Sequence, residues 1–326
     1  MKIDSVRSLK AEIKQDILGI PTNADQQIQS VSVESDKVDM PRLGIGIASA
    51  GTPNQFKLAL RLESSDDLST PEVARILALA HGEVDLQITG PIATLDPVAS
   101  DVTTDSRAAL RMGSTVGVEG SWGAGTAGVF VRERGNKTLC LLSNNHVLAN
   151  MNQARIGATI YHHNPTGPHT IGRLKAFKPV LPRGVRNEVD CAIAALDPNY
   201  PVELSSLTGG GHFNGARSLL THLGMAVTKV GTTTGRTHGH VSATEFDTWV
   251  GFGPVGNVYF VNQIEIRGNG SGAGFSQAGD SGSLVMDRDH NAFGLLFAAS
   301  NRGDLTYCNA IEKVLDALNI ELVNAR

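Results

Sequence analysis

From about residue 110 to about residue 310, short apolar runs alternate with glycine-containing turns, and no other feature constrains the fold as strongly. "TAGVFVRERGNKTLCLLSNNHVL" reads as a hairpin, two apolar runs flanking Arg134-Gly135-Asn136-Lys137. "HTIGRLKAF", "EVDCAIAAL", "MAVTKVG", "THGHVSATE", "VYFVNQIEI", "GSLVMD" and "AFGLLFAAS" follow as further strand candidates. Helical spacing returns only near the end, in "NAIEKVLDALNI", where Ile311, Val314, Leu315 and Leu318 share a face. With 36 glycines among 326 residues and only 5% aromatics, tight turns are affordable and a helical bundle is not indicated. The expectation is a mainly β fold of barrel type with a C-terminal helix.

The first third reads differently. Val6, Leu9, Ile13 and Ile17 stand at helical spacing over 5–18, before Pro21, which predicts a helix packed on its own protein or on a partner. Residues 1–36 are taken as this leader. Leu43, Ile45 and Ile47 then alternate, as do Phe56, Leu58, Leu60 and Leu62, and later Val84, Leu86 and Ile88. Between them "STPEVARILALAH" predicts a helix capped by Thr70 with Pro71 at its first position. Residues 37–105 therefore read as a small α/β domain, closed by a polar linker over 93–106, "ATLDPVASDVTTDS".

Several function classes are excluded on composition. Net charge is −4 with the basic residues dispersed, so no nucleic-acid footprint is present. No apolar run approaches the roughly 20 residues of a membrane span, and "MKIDSVRSLKAEIKQD" lacks the apolar core of a secretory signal. Cys140, Cys191 and Cys308 are odd in number and far apart, which suits a reducing compartment; a cytoplasmic location is expected.

The segment "AGDSGSLV" (278–285) raises the catalytic question. A serine hydroxyl attacks at neutral pH only if a base takes its proton, and histidine, ordinarily titrating near about 6.5, is the suitable base. His146 closes the apolar run "TLCLLSNNHVLAN", where a strand would hold it rigidly. Asp190 opens the apolar strand "VDCAIAAL", and a carboxylate entering a core needs a hydrogen-bond partner; His146 is a chemically sensible one. Glycines around Ser281 would let the N–H groups of Gly279 and Ser281 aim at one point, as an oxyanion site requires.

The order His146, Asp190, Ser281, within "HVL", "VDCAIAAL" and "GDSGS", resembles the trypsin/chymotrypsin-like serine proteases. "LLSNNHVLAN", "KVGTTTGRTHGHV" and "GLLFAAS" resemble more closely the narrow-leaf-type trypsin-like proteases, intracellular enzymes with a small N-terminal α/β region. The resemblance implies a chymotrypsin-like double β-barrel over 106–326, with one barrel over about 110–205 and the second over about 206–326. It implies His146 as general base, Asp190 as its orienting acid, Ser281 as nucleophile, and Gly279 and Ser281 as oxyanion donors. It also implies a protein or peptide substrate and no cofactor, and it makes a homo-oligomer or a regulatory partner an expectation.

By the same alignment the strand "AFGLLFAAS" pairs with substrate, so Phe297, Ala298 and Ala299 are assigned to substrate binding and Phe275 to the pocket base. No acidic residue stands at that base, so a small or medium apolar residue is expected before the scissile bond. The sequence departs from secreted members in lacking disulfides, in reading GDSGS rather than GDSGG, and in showing no evident partner for Asp280. No activating N-terminal cleavage is expected. The alternative function is a latent or inactive protease-fold scaffold acting through its N-terminal region and assembly.

Other constellations carry less. "GIGIASAG" is not followed by a helix and fails as a dinucleotide loop. His238 and His240 share a strand face without a further ligand at zinc-site spacing, so no metal is expected. "YHHNPTGPH" (161–169) reads as an exposed loop, and Cys191 as buried and inert. An α/β-hydrolase needs Gly-x-Ser-x-Gly and a histidine from a later strand, neither of which is present.

Overall fold

A computed structural model of the chain describes residues 1–20, 42–95 and 109–323, apart from 122, 137, 183–184, 220, 271–273 and 303–304. Two large antiparallel-rich sheets account for most of it, and the mainly β expectation holds.

The first sheet has eight strands, in the order Ile320–Leu322, Val129–Glu133, Leu139–Ser143, Ala192–Leu196, Gly167–Phe177, Thr159–Asn164, Thr115–Val118 and Gly125–Thr126. Every pairing is antiparallel. Val129, Phe130, Val131, Leu141, Leu142, Ile193 and their neighbours are buried as one apolar core, which is why these strands read as nearly unbroken apolar runs. The segment 161–169 is a hairpin rather than an exposed loop, with His162 fully buried against Tyr200.

In the second sheet, the strands Asn257–Gly268, Leu305–Ala310, Ala292–Ser300, Leu284–Asp287, Ala226–Gly231 and Gly235–Gly251 follow one another. Gly235–Gly251 then pairs back onto Asn257–Gly268, so these six close on themselves as a barrel with no free edge among them.

The N-terminal α/β unit is an annex of this barrel and not a sheet of its own. The 17-residue strand Gly235–Gly251 outruns its barrel partners and pairs with Gly44–Ser49. Phe56–Leu62 and Val84–Ile88 continue the same sheet, the last in parallel through the crossover helix Pro71–Leu79. Thr70 caps that helix by accepting from the Val73 N–H, with Pro71 in the first turn. The leader forms a helix Ile3–Glu12 ending in a π-helical turn Ile13–Ile17, and Val6, Leu9 and Ile13 pack on Leu58, Leu60 and Leu62. Buried charges pin annex to barrel. The Arg61 guanidinium makes two 2.9 Å bonds to Glu265 and a 2.8 Å bond to Asp85, while Lys10 and Lys14 flank Asp247 at 3.1 and 2.5 Å. The boundaries at 36/37 and 105/106 lie outside the described residues.

The C-terminus differs from the expected barrel range of 206–326. The helix Ile311–Ala317 buries Ile311, Val314 and Leu315 in the core of the first sheet. Ile320–Leu322 then pairs antiparallel with Val129–Glu133, so the last described strand belongs to the first sheet, not the second. Among the described residues no helix is long and apolar enough to cross a membrane.

Candidate active site

Sheet register brings His146 to Asp190. Ala192 pairs with Ser143 across neighbouring antiparallel strands, so the residue two before the first and the residue three after the second meet at one sheet end. His146 sits there in the single helical turn Asn145–Leu148. Its Nδ1 lies 2.5 Å from Asp190 Oδ2, and the N–H groups of Asn145 and His146 donate to Asp190 Oδ1 at 2.7 and 3.3 Å. Both side chains are fully buried. Burying a carboxylate is tolerable only with such donors, and here the partners also fix its direction. The Asp190 N–H donates to Asn309 Oδ1 at 2.9 Å, Asn309 Nδ2 donates to Gln263 Oε1 at 2.7 Å, and Asn144 Nδ2 donates to Asp190 O at 2.8 Å. Holding Nδ1 on the carboxylate leaves Nε2 as the outward nitrogen; it is buried and has no hydrogen-bond partner among the described residues. The ring of Phe252 meets the imidazole edge-on at 5.9 Å.

Ser281 lies in the turn before Leu284–Asp287, with Gly279 and Gly282 at φ 92° and 90°. The first barrel seats this turn. Thr126 N–H donates to Ser281 O at 2.8 Å and Thr126 Oγ1 to Gly279 O at 2.9 Å. A Cβ at Gly282 would come within 2.0 Å of Ser143 Oγ and 2.4 Å of Thr126 O, so contact between the barrels at this point demands glycine. Ser283, where the secreted proteases carry glycine, is buried and donates its hydroxyl to Asp280 O at 2.6 Å. Ala278 O is held by Thr233 Oγ1 at 2.7 Å. In a trans peptide C=O and N–H point in opposite directions, so these two bonds set the direction of the Gly279 and Ser281 N–H groups.

Asp280 has a partner after all. Lys229 Nζ lies 2.9 Å from Asp280 Oδ2, both side chains fully buried. The Thr233, Thr234 and Gln277 N–H groups donate to the same carboxylate at 3.0, 3.1 and 3.0 Å, and Thr234 Oγ1 at 2.6 Å. Burial pushes the Lys229 ammonium below its ordinary pKa, although the Asp280 charge opposes that. All but Gln277 of these donors come from "KVGTTTG" (229–235), a stretch conspicuous in the sequence that had been given no chemical role. Gly231 belongs to it because a Cβ there would stand 2.3 Å from Asp280 Oδ1.

The substrate-binding assignments divide. Phe275 is buried in an apolar cluster with Val241, Ile266 and Leu296. Phe297 points its ring into a different cluster, 4.8 Å from Phe260, and so can offer a substrate nothing but main chain. Ala298 and Ala299 pair with Thr94 and Ala93 of the strand Ile92–Thr94. The segment read as a linker thus begins as a strand on the site; 96–108 lie outside the described residues. Ser281 Oγ donates to Leu95 O at 3.3 Å, and no hydrogen bond joins it to His146 Nε2.

Asn309, Thr126, Ser143, Lys229 and Phe252 support the site, each through a contact with a segment distant from it in sequence. Cys191 is buried, its thiol pushed up by burial and by the Asp190 charge, and Cys140 is pushed up to about 11 by burial. His240 Nδ1 is within 2.9 Å of Asn269 Oδ1, and among the described residues no group of three His, Cys, Asp or Glu side chains could hold a metal ion.

No protein-family model matches the chain, and no curated protein matches it. Among solved structures it is similar to the chymotrypsin of Cellulomonas bogoriensis, at 19% identity and a TM-score of 0.46, over 66% of this chain and 100% of that one. It is also similar to protease A of Thermobifida fusca, at 15% identity and a TM-score of 0.48, over 67% and 100% of the two chains. A third is the Nocardiopsis protease, at 16% identity and a TM-score of 0.46, over 65% and 99%.

Proposed function

We propose that the chain is a serine endopeptidase that cleaves peptide bonds through an acyl-enzyme on Ser281. The observation that carries this reading is the buried His146–Asp190 pair, which holds Nδ1 on the carboxylate and leaves Nε2 without a hydrogen-bond partner among the described residues. With Nδ1–H held on Asp190, His146 is in the tautomer whose Nε2 accepts a proton. Rotation of the Ser281 hydroxyl from Leu95 O to Nε2 completes the relay. Ser281 Oγ then attacks the substrate carbonyl carbon as His146 takes its proton, and the oxyanion that forms is met by the Gly279 and Ser281 N–H groups. His146 returns the proton to the leaving amine, and a water molecule activated in the same way hydrolyses the ester.

The substrate is a protein or peptide with an apolar residue before the scissile bond, a preference supported by the buried apolar cluster around Phe275. Three free, buried cysteines fit a reducing, cytoplasmic setting. A latent state is favoured by one observation, the Ser281 hydroxyl bonded to Leu95 O and not to His146. The test is a fluorophosphonate probe on the wild-type protein and on Ser281→Ala, with the label located by mass spectrometry. Label on Ser281, absent from the variant, supports an activated nucleophile; label at other serines only would end the reading.

A further inference from the structure

The strand Ile92–Thr94 lies on the candidate site as a peptide substrate would. It runs antiparallel along Ala298–Ser300, with Thr94 opposite Ala298, Ala93 opposite Ala299 and Ile92 opposite Ser300. Its side chains alternate: Ile92 and Thr94 are buried and Ala93 between them is exposed. The next residue, Leu95, packs its half-buried side chain on the cluster containing Phe275, Leu296 and Ile264. Its carbonyl oxygen is the acceptor of the Ser281 hydroxyl at 3.3 Å. Backbone pairing on a sheet edge, alternate side chains in pockets and a terminal carbonyl at the nucleophile together make a mode of peptide recognition.

The entry to this strand is anchored. Arg302 N–H donates to Thr89 O at 2.9 Å and Asn301 N–H to Pro91 O at 3.2 Å, while Ala93 also pairs with Gly251 on its other edge. Three consequences meet at one place. The edge that would take a substrate is already paired, the apolar cluster around Phe275 already receives an aliphatic side chain, and the Ser281 hydroxyl is engaged by Leu95 O.

We infer that Ile92–Leu95 is a built-in substrate mimic that occupies the acyl-side half of the site in cis, keeps the enzyme off until it is displaced, and reports a leucine-type preference in the pocket. This rests on the serine-peptidase reading and goes beyond it by naming the occupant and the preferred side chain. A cis occupant acts at high effective concentration, so an external peptide competes poorly until the strand is weakened. The anchor is Leu95, because the pairing of Ile92–Thr94 is main-chain, with Ile92 and Thr94 buried in the protein and Ala93 exposed.

The test is the rate of fluorophosphonate labelling at Ser281 in the wild type, Leu95→Glu and Leu95→Gly, with unfolding midpoints measured for all three. Both variants are expected to label about tenfold faster or more, and to hydrolyse a peptide ending in Leu before the reporter faster than one ending in Arg. Added acetyl-Ile-Ala-Thr-Leu-amide should slow labelling of the variants and leave the wild type almost unaffected. Equal labelling rates in folded wild type and Leu95→Gly would overturn the occupancy and leave the peptidase reading intact. No label at Ser281 in any of the three would overturn both. Leu95→Gly introduces no charge, so loss of fold in Leu95→Glu does not remove the test.

Discussion

Replacing Lys229 by methionine is the sharpest perturbation of the site that touches none of the three residues assigned to the chemistry. Lys229 and Asp280 are each fully buried and 2.9 Å apart, so the substitution leaves a buried carboxylate without its counter-charge. Removing one partner of a buried pair typically costs about 3–5 kcal/mol. Asp280 keeps three backbone N–H donors and the Thr234 hydroxyl, which places the expected loss at the lower end, about 3 kcal/mol or roughly a hundredfold in the folding equilibrium. Because Asp280 is adjacent to Ser281 and orients the peptide whose N–H is proposed to meet the oxyanion, kcat should fall while KM changes little. Urea denaturation gives the first quantity and steady-state peptidase kinetics the second. Lys229→Met/Asp280→Asn should recover most of the stability and little of the activity, since a neutral amide no longer needs the ammonium but re-aims the turn. A Lys229→Met protein that loses under about 1 kcal/mol and keeps its kcat would refute the reasoning. The pair also predicts a pH dependence. Burial lowers the Lys229 pKa below the roughly 10.4 of an unfolded chain. Between those values the unfolded state binds more protons, so this group's contribution makes stability rise with pH there, being an unfavourable term that is full below the window and gone above it. Activity runs the other way, because the ion pair dissolves as Lys229 loses its proton. The alkaline limb of kcat should therefore fall below the usual lysine range and move upward in Lys229→Arg.

Further outcomes follow from the same geometry. His146→Ala should lower kcat by about 10⁴- to 10⁶-fold and Asp190→Asn by about 10⁴-fold, both with the fold retained by circular dichroism. Gly282→Ala should destabilise by about 2–4 kcal/mol in a thermal melt, because its Cβ would meet Ser143 Oγ at 2.0 Å at a left-handed φ; Gly282→Ala/Ser143→Ala should recover part of that. Arg61→Ala should lose about 3–5 kcal/mol by denaturant unfolding, whereas Arg61→Met with Glu265→Leu should come close to wild type, since an apolar pair of similar volume replaces the buried charges.

How far the sequence reaches can be judged residue by residue. The strand rhythm, the hairpin over 129–143, the Thr70 cap and the terminal helix are local matters, dictated by period, turn chemistry and capping within a few positions, and all were readable. His146, Asp190 and Ser281 were readable as residue types in suggestive settings, because a carboxylate at the mouth of an apolar strand and a serine among glycines each demand an explanation. Their partners were not. Asn309 reaches Asp190, and Thr126 reaches the serine turn, across sheet registers that no local period encodes.

The same division accounts for the misreadings. Ile92–Thr94, at the start of the polar stretch, carries too little pattern to announce a strand; what makes it one is the edge of Ala298–Ser300 beside it. Asp280 seemed partnerless because Lys229 lies 51 residues away and reads, in isolation, as an ordinary surface lysine. That the N-terminal α/β unit shares the barrel's sheet was not legible, because a sheet's membership is decided by hydrogen bonds between strands, here through the overlong strand Gly235–Gly251. The sequence by itself determined which residues could be strand, turn, acid, base and nucleophile, since those follow from side-chain chemistry and local backbone preference. Only the tertiary structure decided which of them touch, because contact between distant strands depends on the register and closure of whole sheets.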